Sequence, residues 1–395
     1  MISTEPGLRP VRRPPPKPRP GAIPQPRSLP LPVARAGAAP RRGGVCGDPF
    51  DPHKVLVHFD RIERVARGEL VYPITVELDP TNICNHRCRW CVSVESHNGE
   101  QLSLVRMAAL AAELRECDVR SVVLKGGGEP SAHPRFVDVL RALREQKLAI
   151  GIITNGSFPR PGSLEAVLEC CDWVRISLDA ATAETHRRIH GSGDFEKIVT
   201  NARYLAAQSA HTMVGLNFVA EESNRHEMAA FAELARSVGA AYVTIRCVFD
   251  VAGPPPEEAR REMREQAKLA KALETEHFRV FLGNFTDRYL SASRDEAPPA
   301  GRCMGPNLIG IVGGDGHVYA CCFLRGNRSF SFGNINEQSF REIWRSERRQ
   351  QVMQAVYGGA CNQVCAGGTT GNRYDQYNEI LNYLAAEEKM HTEFA

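Results

Sequence analysis

The chain has 395 residues, 43% hydrophobic and 24% charged, a balance able to bury a core and, at roughly 150 residues per domain, to make two or three domains. No apolar run approaches the ~20 residues of a bilayer-spanning helix, so membrane-spanning, collagen-like and coiled-coil readings are excluded. The net charge of +3 hides an imbalance: residues 1–44 hold nine Lys/Arg and one acid, Glu5, while the rest hold 40 basic and 45 acidic side chains. The larger part is therefore mildly acidic, and neither a nucleic-acid nor a membrane partner is expected.

Residues 1–52 carry 14 of the 26 prolines, as in Arg12-Arg13-Pro14-Pro15-Pro16. Such a segment forms neither helix nor ladder and buries little, so a disordered Pro/Arg-rich tail is expected there. From residue 73 short β-branched runs alternate with helical patterns. Strands are predicted at Ile74–Leu78, Ser121–Lys125, Ala149–Thr154, Trp173–Leu178, Met213–Val219 and Ala241–Cys247. Helices are predicted at Leu104–Glu116, Pro134–Gln146, Ser163–Cys171, Phe195–Gln208 and Arg225–Val238. This alternation means right-handed βαβ units around a parallel sheet, an α/β fold. Six units fit a partial (β/α)6 TIM-like barrel over 53–283. Period-2 alternation then turns Ser177, Asp179, Asn217 and Arg246 into the barrel and Cys247 toward the helices.

After residue 283 the pattern changes. Ile309–Val312, the turn Gly313-Gly314-Asp315-Gly316 and His317–Cys321 read as a β-hairpin, followed by helices near Glu337–Trp344, Glu347–Val356 and Tyr374–Lys389. A smaller second domain over 284–395 is expected, with five of the 13 cysteines.

The cysteine count is odd and no apolar signal segment is present, which argues against a secreted disulfide scaffold and for metal binding in a reducing, cytoplasmic setting. Cys84, Cys88 and Cys91 lie within eight residues just past the first strand. Zinc usually takes four protein ligands, and a fourth is missing unless His86 supplies it from a strained place inside the loop. An iron–sulfur cube held by three thiolates leaves one iron open to an external ligand. A zinc-stabilised binding module stays the non-catalytic alternative.

The C-x3-C-x2-C spacing, with Trp90 before the last cysteine, resembles the radical S-adenosylmethionine (SAM) enzymes. Gly126-Gly127-Gly128-Glu129 after the second strand, Thr154-Asn155-Gly156 after the third and Ser177-Leu178-Asp179-Ala180 after the fourth follow that family's order over roughly 73–250. The resemblance implies that Cys84, Cys88 and Cys91 hold a [4Fe–4S] cluster. It further implies that Gly126, Gly127, Gly128, Glu129, Asn155, Ser177, Asp179 and Asn217 contact SAM. Reductive cleavage of SAM then yields a 5′-deoxyadenosyl radical that takes hydrogen from an unactivated carbon. Cys303, Gly316 with His317-Val318-Tyr319-Ala320-Cys321, and Cys361 and Cys365 are similar to the family's C-terminal auxiliary-cluster (SPASM or twitch) domains. That likeness implies a second [4Fe–4S] cluster on Cys303, Cys321, Cys361 and Cys365. Cys322 should face away from Cys321 and is read as a buried hydrophobe, although either neighbour could ligate.

Cys46, Cys117, Cys170, Cys171 and Cys247 lack ligand spacing and are read as small hydrophobes. Arg246 is the candidate for fixing a substrate oxygen, with a salt bridge inside the barrel as its bland role. The expected reaction is oxidation of a sugar- or aminocyclitol-like metabolite, with flavodoxin or ferredoxin as electron donor. A radical epimerase and a ribosomal-peptide maturase are the alternatives.

Overall fold

The computed structural model describes residues 52–247, 256–283, 302–362 and 374–385. The N-terminal tail through residue 51, Cys46, Cys365 and the end of the last predicted helix lie outside the described residues.

Helix α1 (Phe59–Ala66) precedes the sheet and is not among the predicted elements. It is pinned by Arg61, whose guanidinium donates to Pro73 O at 3.0 Å and to the carbonyl and carboxylate of Asp118, each at 2.6 Å. Six strands then follow the expected order almost residue for residue: β1 (Thr75–Leu78), β2 (Ser121–Leu124), β3 (Ala149–Thr154), β4 (Trp173–Ser177), β5 (Met213–Ala220) and β6 (Tyr242–Cys247). Each is parallel to the next, and an unpredicted seventh, β7 (Arg279–Gly283), extends the series on β6. The α/β partial barrel is thus borne out.

The connecting helices are α2 (Leu104–Glu116), α3 (Phe136–Glu145), α4 (Ser163–Cys170), α5 (Ala183–His190), α6 (Phe195–Gln208), α7 (Met228–Ser237) and α8 (Glu257–Lys271). Helix α2 starts where Ser103 accepts from Arg106 N at 3.1 Å. It buries Met107, Leu110, Ala111 and Leu114, an i, i+3, i+4, i+7 stripe. These meet Val76, Leu78, Val122 and Leu124 in the main core, which runs under the helices from β1 to β7. Each fully buried Leu there is worth roughly 1.5–3 kcal/mol. Cys117, Cys170, Cys171 and Cys247 belong to the same core, as small hydrophobes should.

The predicted hairpin forms as β8 (Ile309–Val312) and β9 (His317–Tyr319), and the strand stops at Tyr319 rather than Cys321. Its placement was not foreseen. β8 pairs in parallel with β1, so the ten-stranded sheet runs β10-β9-β8-β1-β2-β3-β4-β5-β6-β7, where β10 is Ser331–Asn334. The C-terminal part thus continues the barrel sheet. Helices α9 (Phe340–Arg345), α10 (Glu347–Tyr357) and α11 (Asp375–Ala385) follow. Buried Trp344 donates to Val71 O at 2.7 Å, and Arg106 of α2 to Ile335 O at 2.6 Å.

Candidate metal centre

Parallel strands in register bring the predicted motifs to one end of the sheet. The Cys84–Cys91 loop leaves β1 there, the glycine run leaves β2, Asn155 follows β3 and Asp179 follows β4. Neighbouring loops hold the cysteine loop in place. Glu129 N donates to Ile83 O at 2.9 Å and Gly128 N to Thr81 O at 3.1 Å. A Cβ on Gly128 would fall 2.2 Å from Ile83 O, and one on Gly127 2.2 Å from Asn82 Oδ1. The glycines therefore let the two loops close on each other, a constraint beyond any approach of a cofactor.

Glu129 and Asn155 stitch the same region. The Glu129 carboxylate accepts from Ser131 N at 3.0 Å, Thr154 Oγ1 at 2.7 Å and Asn155 N at 2.7 Å, and also from the Ser131 hydroxyl. Three of these fall on one oxygen, so the other keeps acceptor capacity for an ammonium group. Asn155 donates to Asn85 Oδ1 at 2.8 Å, joining β3 to the cysteine loop.

The three thiols are free and half-buried. Burial pushes Cys84 up to about 11 and raises Cys88 and Cys91 as well, so a metal's positive charge would be needed to hold them as thiolates.

Helix α5, absent from the sequence reading, closes the other side. Arg87 N and Arg89 N of the cysteine loop donate to His190 O and Ile189 O at 2.8 and 3.0 Å. His86, His186 and His190 cluster there, all fully buried or nearly so. His186 stacks on His190 with centroids 4.6 Å apart, and His86 meets both edge-on. Burial, then the neighbouring His190, pushes His86 and His186 down to about 4. His190 Nδ1 lies 3.1 Å from Cys88 Sγ, and Nε2 lies 3.2 Å from Asp179 Oδ2. Donor atoms of His86, Cys88 and His190 fall within 4.8 Å of one another, a single-ion spacing that would leave Cys84 and Cys91 unused.

Inside the barrel, Ser177, Asn217, Thr244 and Phe281 share one register level across β4–β7. The next level holds Val219, Arg246 and Gly283, so Arg246 stands above Asn217 on the face opposite Val243, Ile245 and Cys247. Asn217 Oδ1 and Thr244 Oγ1 are buried and carry no hydrogen bond among the described residues, as expected of atoms that face a ligand. Asp179 turns elsewhere: its Oδ1 accepts from Val219 N at 2.8 Å while Oδ2 meets His190.

On the C-terminal side Cys303, Cys321 and Cys361 pack against one core, and Asn378 donates to Cys303 Sγ at 3.5 Å. Cys321 is extended, whereas Cys322 opens a 3-10 turn whose carbonyl accepts from Arg325 at 3.1 Å. Cys322 is half-buried and not part of the apolar core, so the reading of it as a buried hydrophobe is not borne out: the strand ends at Tyr319 and the chain turns at Cys322.

Residues 78–235 match the radical SAM superfamily, and residues 303–367 match the iron–sulfur cluster-binding SPASM domain. The chain belongs to the radical SAM superfamily. It is 26% identical over 325 residues to the mycofactocin maturase MftC of Mycobacterium ulcerans, covering 79% of this chain and 87% of that one. It is 25% identical over 292 residues to the tungsten-containing aldehyde ferredoxin oxidoreductase cofactor-modifying protein of Pyrococcus furiosus, covering 69% and 80%. In fold it is similar to Streptococcus suis SuiB bound to its precursor peptide SuiA, with TM-score 0.58, 13% identity and coverage of 86% and 81%. The cofactors are accordingly SAM and [4Fe–4S] clusters. Three half-buried thiols on one loop, and orphaned polar atoms in the adjoining barrel, fit them. Among the described residues no helix is long and apolar enough to cross a membrane.

Proposed function

We propose that this radical SAM enzyme is a maturase that oxidises a carbon of a peptide. SAM bound at the cysteine loop supplies the hydrogen-abstracting radical, and the protein's own residues hold the target carbon and exclude water. The observation that carries the reading is the continuity of β8 with β1, because a hairpin hydrogen-bonded to the first barrel strand leads into Cys321. A peptide at the barrel mouth is proposed to lie between the two cysteine sets. The maturase name of the M. ulcerans relative and the precursor peptide bound to SuiB support a peptide over a sugar.

Arg246, at the mouth-side level of β6, is proposed to hold a carbonyl or carboxylate oxygen of the substrate. Ser177 and Asn217, with Thr244, are proposed to face the cofactor. Cys303, Cys321, Cys361 and Cys365 are proposed to hold the auxiliary cluster, with flavodoxin or ferredoxin as donor. Net oxidation is favoured over epimerisation because Cys247 is 1% exposed and packs in the apolar core with Val243 and Ile245, on the helix side of β6. A thiol so placed cannot return a hydrogen atom inside the barrel.

The test is anaerobic incubation of reduced enzyme and SAM with two substrate sets. One is synthetic peptides encoded by short reading frames beside the gene; the other is a panel of aminocyclitols. A peptide product two mass units lighter, formed without solvent deuterium at the reacting carbon, supports the proposal. Turnover of an aminocyclitol with inert peptides would overturn it.

A further inference from the structure

We propose that His190 is a positioning residue that donates a ring N–H to the sulfur of Cys88 and so sets the reduction potential of the SAM-binding cluster. The inference rests on the reading that Cys84, Cys88 and Cys91 hold that cluster. Its basis is a chain from a half-buried thiol through two buried groups: Cys88 Sγ to His190 Nδ1 at 3.1 Å, and His190 Nε2 to Asp179 Oδ2 at 3.2 Å. His190 is 2% exposed and Asp179 3% exposed, so water does not compete for the contact between them.

Both ends of the chain are fixed by the backbone. Asp179 has φ +55°, the left-handed region that a non-glycine residue adopts only at a cost. Val219 N donates to its carboxylate at 2.8 Å, and Asn224 Nδ2 to its carbonyl at 2.9 Å, which holds that conformation. On the other side, Arg87 N and Arg89 N donate to the last carbonyls of α5, locking His190 to the loop that carries Cys88. The imidazole stacks on His186 and cannot swing away without unstacking it. With Nδ1 toward the Cys88 sulfur and Nε2 toward the Asp179 carboxylate, donation on both sides requires the doubly protonated ring, which two flanking anions favour.

Hydrogen bonds to cluster sulfurs are one of the levers that set iron–sulfur potentials. An N–H aimed at a thiolate withdraws charge from it, which favours the reduced cluster, and a buried, low-dielectric setting strengthens the effect. The radical reaction begins with one electron in this cluster, so the contact governs how readily that electron is loaded.

The experiment is a redox titration of the reconstituted full chain, followed by electron paramagnetic resonance of the signal that SAM perturbs. That perturbation separates the SAM-binding cluster from the auxiliary one. His190→Ala removes the donor, while His190→Asn places an amide N–H near the position of Nδ1. The expected result is a midpoint displaced to more negative potential in His190→Ala. A tenfold change in the reduced-to-oxidised ratio corresponds to about 59 mV for one electron. His190→Asn should lie closer to wild type, and Asp179→Asn, which frees the ring, should shift in the same direction as His190→Ala. Equal midpoints in wild type and a loaded His190→Ala would overturn the inference while leaving the cluster assignment standing. Loss of the SAM-perturbed signal in both His190 variants at wild-type melting temperature would also overturn it, since His190 would then be a ligand, as in the His86/Cys88/His190 spacing. A wild type with no SAM-perturbed signal would remove the cluster reading and this inference with it.

Discussion

Arg325 Nε lies 2.6 Å from Asp79 Oδ2, and this pair joins the loop after Cys321 to the end of β1. The guanidinium also reaches Glu77 at 3.3 Å and the Cys322 carbonyl at 3.1 Å, while Lys125 balances Glu77 at 3.0 Å. Asp79 is fully buried, and desolvation pushes its carboxyl up to about 6 even against Arg325 and Lys125. Burial works against the charge of Arg325 too, but Asp79 and Glu77 outweigh it and raise its pKa. The four charges cancel, as a buried set must if it is not to unfold the site.

Removing one partner leaves uncompensated charge inside. Arg325→Met is therefore expected to cost about 3–5 kcal/mol of unfolding free energy. The double variant Arg325→Met/Asp79→Asn should regain at least half of that loss. Chemical denaturation of the four proteins in a double-mutant cycle measures the coupling. A cycle with no coupling would mean the two side chains act independently.

Gly128 tests the packing of the cysteine loop. Its added Cβ would meet a backbone oxygen, Ile83 O, at 2.2 Å, and backbone cannot rotate aside. Gly128→Ala should lose the SAM-binding cluster and SAM affinity, while the auxiliary irons and the helical circular dichroism remain. Full iron content with unchanged SAM affinity would show that the loop yields.

The histidine cluster predicts a pH dependence. His186 is fully buried and its pKa is lowered to about 4 by burial first, then by His190 and His86. The unfolded chain takes up its proton near 6.5 and the folded chain near 4, so stability contributed by the neutral ring is present above 6.5. It is lost as pH falls from about 6.5 toward 4. Between pH 7 and pH 5 the loss is about 1–2 kcal/mol from this group. Urea unfolding at both pH values should give a flatter dependence for His186→Gln than for wild type. Equal slopes would mean the ring is not held neutral.

Strand positions were legible because β-branched runs alternate with stripes such as Met107, Leu110, Ala111 and Leu114, and both periods survive without tertiary help. Helix α5 was not, because Ala183-Glu184-Thr185-His186-Arg187-Arg188-Ile189-His190 has Ile189 as its one large aliphatic side chain. Its punctuation was there to read: Thr182 caps the start, accepting from Thr185 N at 3.3 Å, and Gly191 with φ +61° closes the end. Helix α8 hid for a similar reason, since its buried stripe is Ala259, Met263, Ala267 and Ala270, mostly small. The candidate ligands Cys84, Cys88 and Cys91 stood out by local spacing taken with the ordered Gly126–Glu129, Asn155 and Ser177–Asp179 motifs. Contacts such as Cys88–His190 and Asp79–Arg325 join residues 102 and 246 positions apart, and no local pattern encodes them. The pairing of β8 with β1 is of the same kind.

Iron analysis checks the two cysteine sets. Reconstituted wild type should carry about eight irons per chain, and Cys84→Ala/Cys88→Ala/Cys91→Ala about four. Cys303→Ala/Cys361→Ala should retain the other four, with the SAM-perturbed resonance intact. A wild-type value near four would eliminate the auxiliary cluster and leave Cys303, Cys321 and Cys361 as packing residues.

The most direct measurement is of 5′-deoxyadenosine formed from SAM under dithionite in strict anaerobiosis. Wild type should release it, and Cys84→Ala/Cys88→Ala/Cys91→Ala should release none while keeping its fold by circular dichroism. Equal yields from the two proteins, or none from a wild type with full iron content, would contradict the assignment of radical chemistry to the Cys84–Cys91 loop.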